Sequence, residues 1–312
     1  MKKIIILLSL AFIFNSCDDG DLIVENFNFS DSVIQRCSES SDIYLKTKGS
    51  ELLLAVIPNE FMIDEATEVG APRIYTINTN DQIIYRKYSG EVGINSICSS
   101  IPPASPNVIE EFKALPGATI EVTTTVTPDV NETTLATTIN YNHQITFRNV
   151  LFSNNTSTLN YLEYNYGTFK STTNSLPFNL TNSIAQSCSE TVIYKRTANQ
   201  ALVLDFDSDY YTNNVGSQTI NLSATNQIIC KLYNDDVDGT TICSSATPAP
   251  TSLIEEWVAD EGQVTIITTE ILDTNNTIIG YNYAITLNNI VYKKGENSFT
   301  HPFYNFGNYE VL

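Results

Sequence analysis

The residues best suited to chemistry are carboxylates, and they occur as adjacent pairs and as one acidic loop. Glu110-Glu111 and Glu255-Glu256 sit in matching contexts, Ile109-Glu110-Glu111-Phe112 and Ile254-Glu255-Glu256-Trp257. Two acids flanking a bond are the equipment of a glycoside hydrolase, so these pairs define the enzymatic alternative for this chain. Ser105-Pro106 ahead of Val108, Ile109 and Phe112 places apolar residues at helical spacing behind a proline, which predicts a short helix. Neighbours on a helix diverge by roughly 100°, so neither pair would face across a substrate, and acids near a helix start complement its dipole. The acidic loop is Asn234-Asp235-Asp236-Val237-Asp238-Gly239. Asn234, Asp236 and Asp238 alternate before a glycine like the first half of a calcium loop, but Ser245 stands where the closing glutamate belongs. Asp205, Asp207 and Asp209 are further oxygen donors. The expectation is an acidic turn with calcium as its alternative, and no other cofactor.

The chain has only two histidines. His143 falls on the apolar phase of a strand pattern, where the matching position is Tyr283, and reads as a packed core residue. His301 precedes Pro302 and reads as a loop residue. Neither Gly-x-Ser-x-Gly nor His-Glu-x-x-His occurs, so histidine-based catalysis is not expected.

The elements that carry these residues are duplicated. Phe27-Asn28-Phe29 through Cys37-Ser38-Glu39 matches Phe178-Asn179-Leu180 through Cys188-Ser189-Glu190, and Tyr164-Asn165-Tyr166-Gly167 matches Tyr304-Asn305-Phe306-Gly307. Repeat one spans 27–169, repeat two 178–312, and the polar stretch 170–177 reads as a linker. Within each copy the period is two. Ile139, Tyr141, His143, Ile145 and Phe147 alternate with polar residues, as do Ile279, Tyr281, Tyr283, Ile285 and Leu287. Asn149 and Asn289 break the phase, which predicts a register-shifting bulge. Further strands are expected at 42–47, 51–57, 72–78, 82–88 and 119–127, each with a counterpart in the second copy. The fold class is therefore all-β: two tandem β-sandwich-like or small-barrel domains, each with one short helix.

Cysteines follow the same duplication. Cys37 and Cys98 recur as Cys188 and Cys243, and in an oxidising compartment the economical pairing is Cys37–Cys98 and Cys188–Cys243. Cys230 matches Tyr85 and reads as a buried core residue. No Cys-x-x-Cys occurs, so zinc or redox chemistry has no support.

Lys2 and Lys3 open the chain and are followed by an apolar run from Ile4 to Phe14, too short to span a bilayer. Phe14-Asn15-Ser16-Cys17 resembles a lipobox of the relaxed Bacteroidota type, and Asp18-Asp19-Gly20-Asp21 resembles the acidic surface-export signal of those lipoproteins. The resemblance covers about 1–21 and implies removal of 1–16, lipidation of Cys17, a tether over 17–26, and location at the outer membrane, facing the cell surface. With 35 acidic against 16 basic residues and a net charge of −19, nucleic acid is excluded as a partner. The function expected is non-enzymatic binding or support at the envelope, with the membrane reached through the lipid and a glycan or protein as the outer partner. The alternatives are a carboxylate-based glycoside hydrolase and an adhesin or spacer module without a ligand pocket.

Overall fold

The structure is a computed structural model that describes residues 26–78, 82–206, 210–244 and 253–312. Cys17, the aspartates after it, Asp207, Asp209 and Ser245 lie outside the described residues. Repeat one contains β1 (Gln35–Arg36), β2 (Ile43–Lys48), β3 (Glu51–Val56), β4 (Arg73–Thr76), β5 (Ile83–Tyr88), β6 (Val108–Ala114), β7 (Thr119–Val130), β8 (Thr137–Ser153) and β9 (Thr158–Thr172). Repeat two contains β10 (Gln186–Ser187), β11 (Val192–Arg196), β12 (Gln200–Phe206), β13 (Gly216–Asn221), β14 (Asn226–Tyr233), β15 (Leu253–Leu272), β16 (Ile278–Lys294) and β17 (Asn297–Val311). The fold is all-β, as the sequence periodicity predicts.

The first sheet runs β1-β2-β3-β5-β6-β8-β7-β4, with β9 also on β8. The second runs β10-β11-β12-β14-β15-β16-β17, with β13 on β15. All pairings are antiparallel. The two topologies are the same once β15 is matched to β6 and β7 together. In repeat one Leu115-Pro116-Gly117 divides that length, since proline has no N–H for the ladder.

Each sheet has apolar clusters on both faces, which explains the unbroken runs in its central strands. In β3, Leu53 and Ala55 join the main core with Tyr85, Phe147 and Tyr166. Leu52 and Leu54 pack on the other side with Tyr88 and Val92, against Cys37 and Cys98. The first sheet curls so that β9 meets β2: Tyr166 Oη donates to the carbonyls of Tyr44 and Leu53 at 3.0 and 3.2 Å. Lys46 Nζ then donates to the carbonyls of Tyr166 and Phe29 at 2.7 and 2.9 Å. Gly167, with φ +119°, leaves room for that amine, because a Cβ there would stand 3.2 Å from it. Repeat two places Lys195 against Phe306 in the same way.

Among the described residues there are two short α-helices, one per repeat, α1 (Asn95–Cys98) and α2 (Gly239–Ile242), besides a 3-10 turn at Asn59–Phe61. The helix expected after Ser105-Pro106 is instead the strand β6, registered against β5 from Ile84↔Lys113 to Tyr88↔Val108. Five residues of apolar spacing cannot separate helix from strand, and the β-branched pair Val108-Ile109 together with a waiting partner strand decides for the sheet.

The phase change in β8 is present, and pairing with β9 shows no bulge at it. Asn149 adopts φ +53°, a left-handed conformation that asparagine tolerates, and burial passes from Phe147 to Val150. Pairing with β9 keeps its register across it, Arg148↔Glu163 then Val150↔Tyr161; the shift lies at Ile145/Thr146. Asn289, at φ +51°, likewise keeps register with β17, but on its other side the pairing with β15 shifts, Glu261↔Val291 then Gln263↔Asn288, so the expected bulge is present in repeat two.

Disulfides join Cys37 to Cys98 and Cys188 to Cys243, closing sequence separations of 61 and 55 residues. Each is worth roughly 4 kcal/mol on the chain-entropy scale. Cys230 is buried and unpaired, and burial pushes its thiol pKa far up. Peptide mapping without reduction is therefore expected to recover both crosslinks, with Cys230 alkylated only after denaturation. Recovery of Cys230 in a crosslink would contradict the packing described.

The repeats are docked, not strung on a free linker. Lys170 to Thr172 belong to β9, and the chain beyond it stays zipped to β8: Thr137 and Leu176 exchange backbone hydrogen bonds of 2.7 and 2.8 Å. Ile139 and Tyr141 of repeat one enter the core of repeat two beside Leu176 and Phe178. Their counterparts at the far end of repeat two measure what docking does. Ile139 is 1% exposed, whereas Ile279 is 47% exposed.

Candidate functional site

Docking leaves an open cleft of about 1410 Å³ between the repeats. Repeat one lines it with Arg36, Ile63, Asp64, Phe169, Ser171 and Asn174, and repeat two with Asn199, Tyr233, Asn234, Ile254, Glu255 and Lys294. Six of these twelve positions lie on β9, β14, β15 and β16 and Arg36 on β1, while Ile63, Asp64, Asn174, Asn199 and Asn234 lie in the connecting loops.

Asp64 is the most firmly held of the exposed groups. Its Oδ1 accepts from Ser171 Oγ at 2.5 Å and from His143 Nε2 at 3.1 Å. On the other ring nitrogen, His143 Nδ1 lies 2.9 Å from Thr124 Oγ1, which also accepts from Arg73 Nη1 at 2.9 Å. Arginine only donates, so the threonine proton is free for Nδ1, and the imidazole proton sits on Nε2 facing Asp64. Burial raises the Asp64 pKa, but the hydrogen bonds from His143 and Ser171 and the charge of Lys294 outweigh it and hold the carboxyl below its ordinary range.

The trio Ser171, His143 and Asp64 has the composition of a catalytic triad without its wiring. In a triad the serine and the carboxylate bind opposite nitrogens of the imidazole. Here both lie on Nε2, and the serine proton goes straight to the carboxylate. The network fixes an anion; it does not activate a nucleophile. The expectation of a packed His143 agrees with its 1% exposure, and the polar partners are what the alternation pattern could not reveal.

Facing Asp64 from repeat two is Lys294, whose Nζ stands 5.9 Å from the Tyr141 ring centre and 3.5 Å from Glu255 Oε1. Trp257 Nε1 donates to the same oxygen at 2.9 Å. Below the cleft, Tyr44 is fully buried with its hydroxyl unpartnered, the ring of Phe169 5.1 Å away and Arg36 over its face. Burial pushes the Tyr44 pKa up to about 12.

The paired glutamates do not converge. In β6 and β15 neighbours point to opposite faces, and each takes its own partner. Glu111 binds Arg86 at 2.6 Å and Lys113 at 3.1 Å, while Glu256 reaches Lys231 at 3.9 Å. Glu110 lies by Lys87 and Asn154 on the free end of repeat one. The loop at 234–239 divides its roles. Asn234 lines the cleft, and Asp238 caps α2, its Oδ1 accepting from the Thr241 backbone N–H and hydroxyl at 2.9 and 3.1 Å. Gly239 admits the Tyr194 hydroxyl, which would stand 2.3 Å from a Cβ. Cap and close approach thus account for the Asp-Gly step. Among the described residues no three His, Cys, Asp or Glu side chains converge as a metal site.

Protein-family models, curated proteins and solved structures offer no match to this chain. Its geometry must speak for its function.

His301 is a strand residue in β17, not a loop residue, and is 4% exposed. Burial lowers its pKa from 6.5, opposed by a hydrogen bond to the backbone of Thr134 across the repeat boundary. A lowered folded pKa means that the unfolded chain takes up the proton first. Stability is therefore lost as pH falls below about 6.5. Urea titrations at about pH 7 and pH 5 should show a smaller acid loss for His301→Gln than for the parent chain. Equal losses would remove His301 as a source of acid sensitivity.

Proposed function

We propose that this protein is an envelope lipoprotein, anchored through Cys17 and exposed at the cell surface, that binds an extracellular or envelope ligand without transforming it. The cleft between its repeats is the binding site. The observation that carries this reading is Asp64, a carboxylate locked by His143 and Ser171 at the wall of a wide cleft yet 37% exposed at its side chain. A group oriented so firmly and left accessible is preorganised for contact with a ligand. In a glycosidase an ionised Asp64 would serve as base or nucleophile, and a second carboxyl in the cleft would have to supply the acid. Attachment is assigned to the lipid on Cys17 because of the lipobox-like stretch Phe14-Asn15-Ser16-Cys17.

The enzymatic alternative has a direct test. Purified chain incubated with a panel of polysaccharides should release no new reducing ends. Turnover that disappears in Glu255→Gln or Asp64→Asn would replace the binding reading with a glycosidase.

A further inference from the structure

Resting on the assignment of the cleft as the binding site, we infer that its ligand is a neutral, hydroxyl-rich chain: an oligosaccharide, gripped at Asp64. Charge decides first. Of the four carboxylates that line the cleft, Asp64 is engaged by His143 and Ser171 and Glu255 by Trp257 and Lys294, and Glu39 and Glu65 are set against the cations Arg36, Lys170 and Lys294, which leaves the lining close to charge balance. A cationic ligand would have to compete with those partners. An anionic ligand meets Asp64 and Glu255 directly and approaches a chain of net charge −19. A neutral ligand incurs neither cost.

Hydrogen-bonding capacity decides next. With Oδ1 taken by His143 and Ser171, Asp64 keeps the two acceptor sites of Oδ2 for ligand hydroxyls. Exposed Asn174 and Asn234 stand on opposite repeats and each offers donor and acceptor together, as a polyol requires. Apolar contact completes the match. Ile63 and Ile254 remain 41% and 50% exposed, and Phe169 forms part of the wall. This modest apolar area fits the C–H faces of sugar rings. A cleft of about 1410 Å³ favours a chain over a single small molecule.

The test uses the mature lipidated chain in detergent micelles. The probes are neutral linear oligosaccharides, their uronic-acid and amino-sugar counterparts of the same linkage, and neutral peptides of similar length. Titration calorimetry should find binding to a neutral oligosaccharide, weaker for both charged counterparts and changed less than about twofold by salt, because no ion pair forms. Asp64→Asn should weaken it about tenfold, as should the double change Asn174→Ala with Asn234→Ala, which touches exposed side chains and should leave the melting temperature unchanged. Tighter binding of a charged counterpart overturns the ligand class. Peptide binding lost in the same variants also overturns it while leaving the cleft in place. Oligosaccharide binding unaffected by Asp64→Asn, the asparagine pair and Ile254→Lys overturns the cleft itself. No binding of any probe overturns both.

Discussion

Ile139→Asp is expected to cost the folded chain at least about 3 kcal/mol, whereas Ile279→Asp at the matching position should cost under about 1 kcal/mol. The two isoleucines occupy equivalent places near the start of β8 and β16, so intrinsic strand preference is common to both. Only their surroundings differ. Ile139 is sealed at 1% exposure between the repeats, and a carboxylate there would lose its hydration with no cation placed to receive it. Ile279 at 47% exposure already faces water. The loss at Ile139 combines the removed apolar contact with the desolvated charge, and both act on the docking that shapes the cleft. Paired urea titrations measure the contrast. Equal costs at the two positions would mean that the repeats do not share a core.

Lys46→Ala is expected to destabilise repeat one by about 3 kcal/mol, because it removes two charge-assisted hydrogen bonds and strands the Tyr166 carbonyl, while that of Phe29 keeps the Ser32 N–H. Lys46 is 4% exposed and spends its donors on the carbonyls of Tyr166 and Phe29. Burial lowers its pKa, so the site keeps a charge at some cost in order to close the curled sheet between β2 and β9. Lys46→Met fills most of the volume but restores neither hydrogen bond, and should recover only part of the loss. A cost below about 1 kcal/mol for Lys46→Ala would show that the aromatic core holds the seam without it.

The fold was legible wherever a pattern repeated. Alternation in 139–147 located a long strand with one buried face, and the recurrence of Cys37 and Cys98 as Cys188 and Cys243 paired the cysteines without geometry. Phase breaks at Asn149 and Asn289 were visible too: a left-handed residue stands at each, and in repeat two the expected register shift accompanies it. The segment 105–112 misled because its apolar spacing is too short to define a period, and its strand state depends on β5, a non-local partner. The cleft was less legible. Asp64, His143 and Ser171 lie far apart in the chain and belong to no motif, so only the folded sheet brings them together. Asn234 drew attention for a metal pattern and stands instead at the cleft, while Asp238 of the same pattern serves as a helix cap. Polar residues at such positions leave no periodic trace, since their role comes from the meeting of two repeats.

Lipid attachment at Cys17 is the central claim about how this protein works, because it puts the two-repeat body at the membrane with its cleft free to meet a ligand. Growth with a labelled fatty acid, followed by fractionation and protease treatment of intact cells, measures it directly. The parent chain should carry the label, partition with membranes and lose its body to external protease. Cys17→Ala should carry no label and appear in the soluble fraction. Label retained by Cys17→Ala, or a parent chain that is unlabelled and soluble, would contradict the anchor.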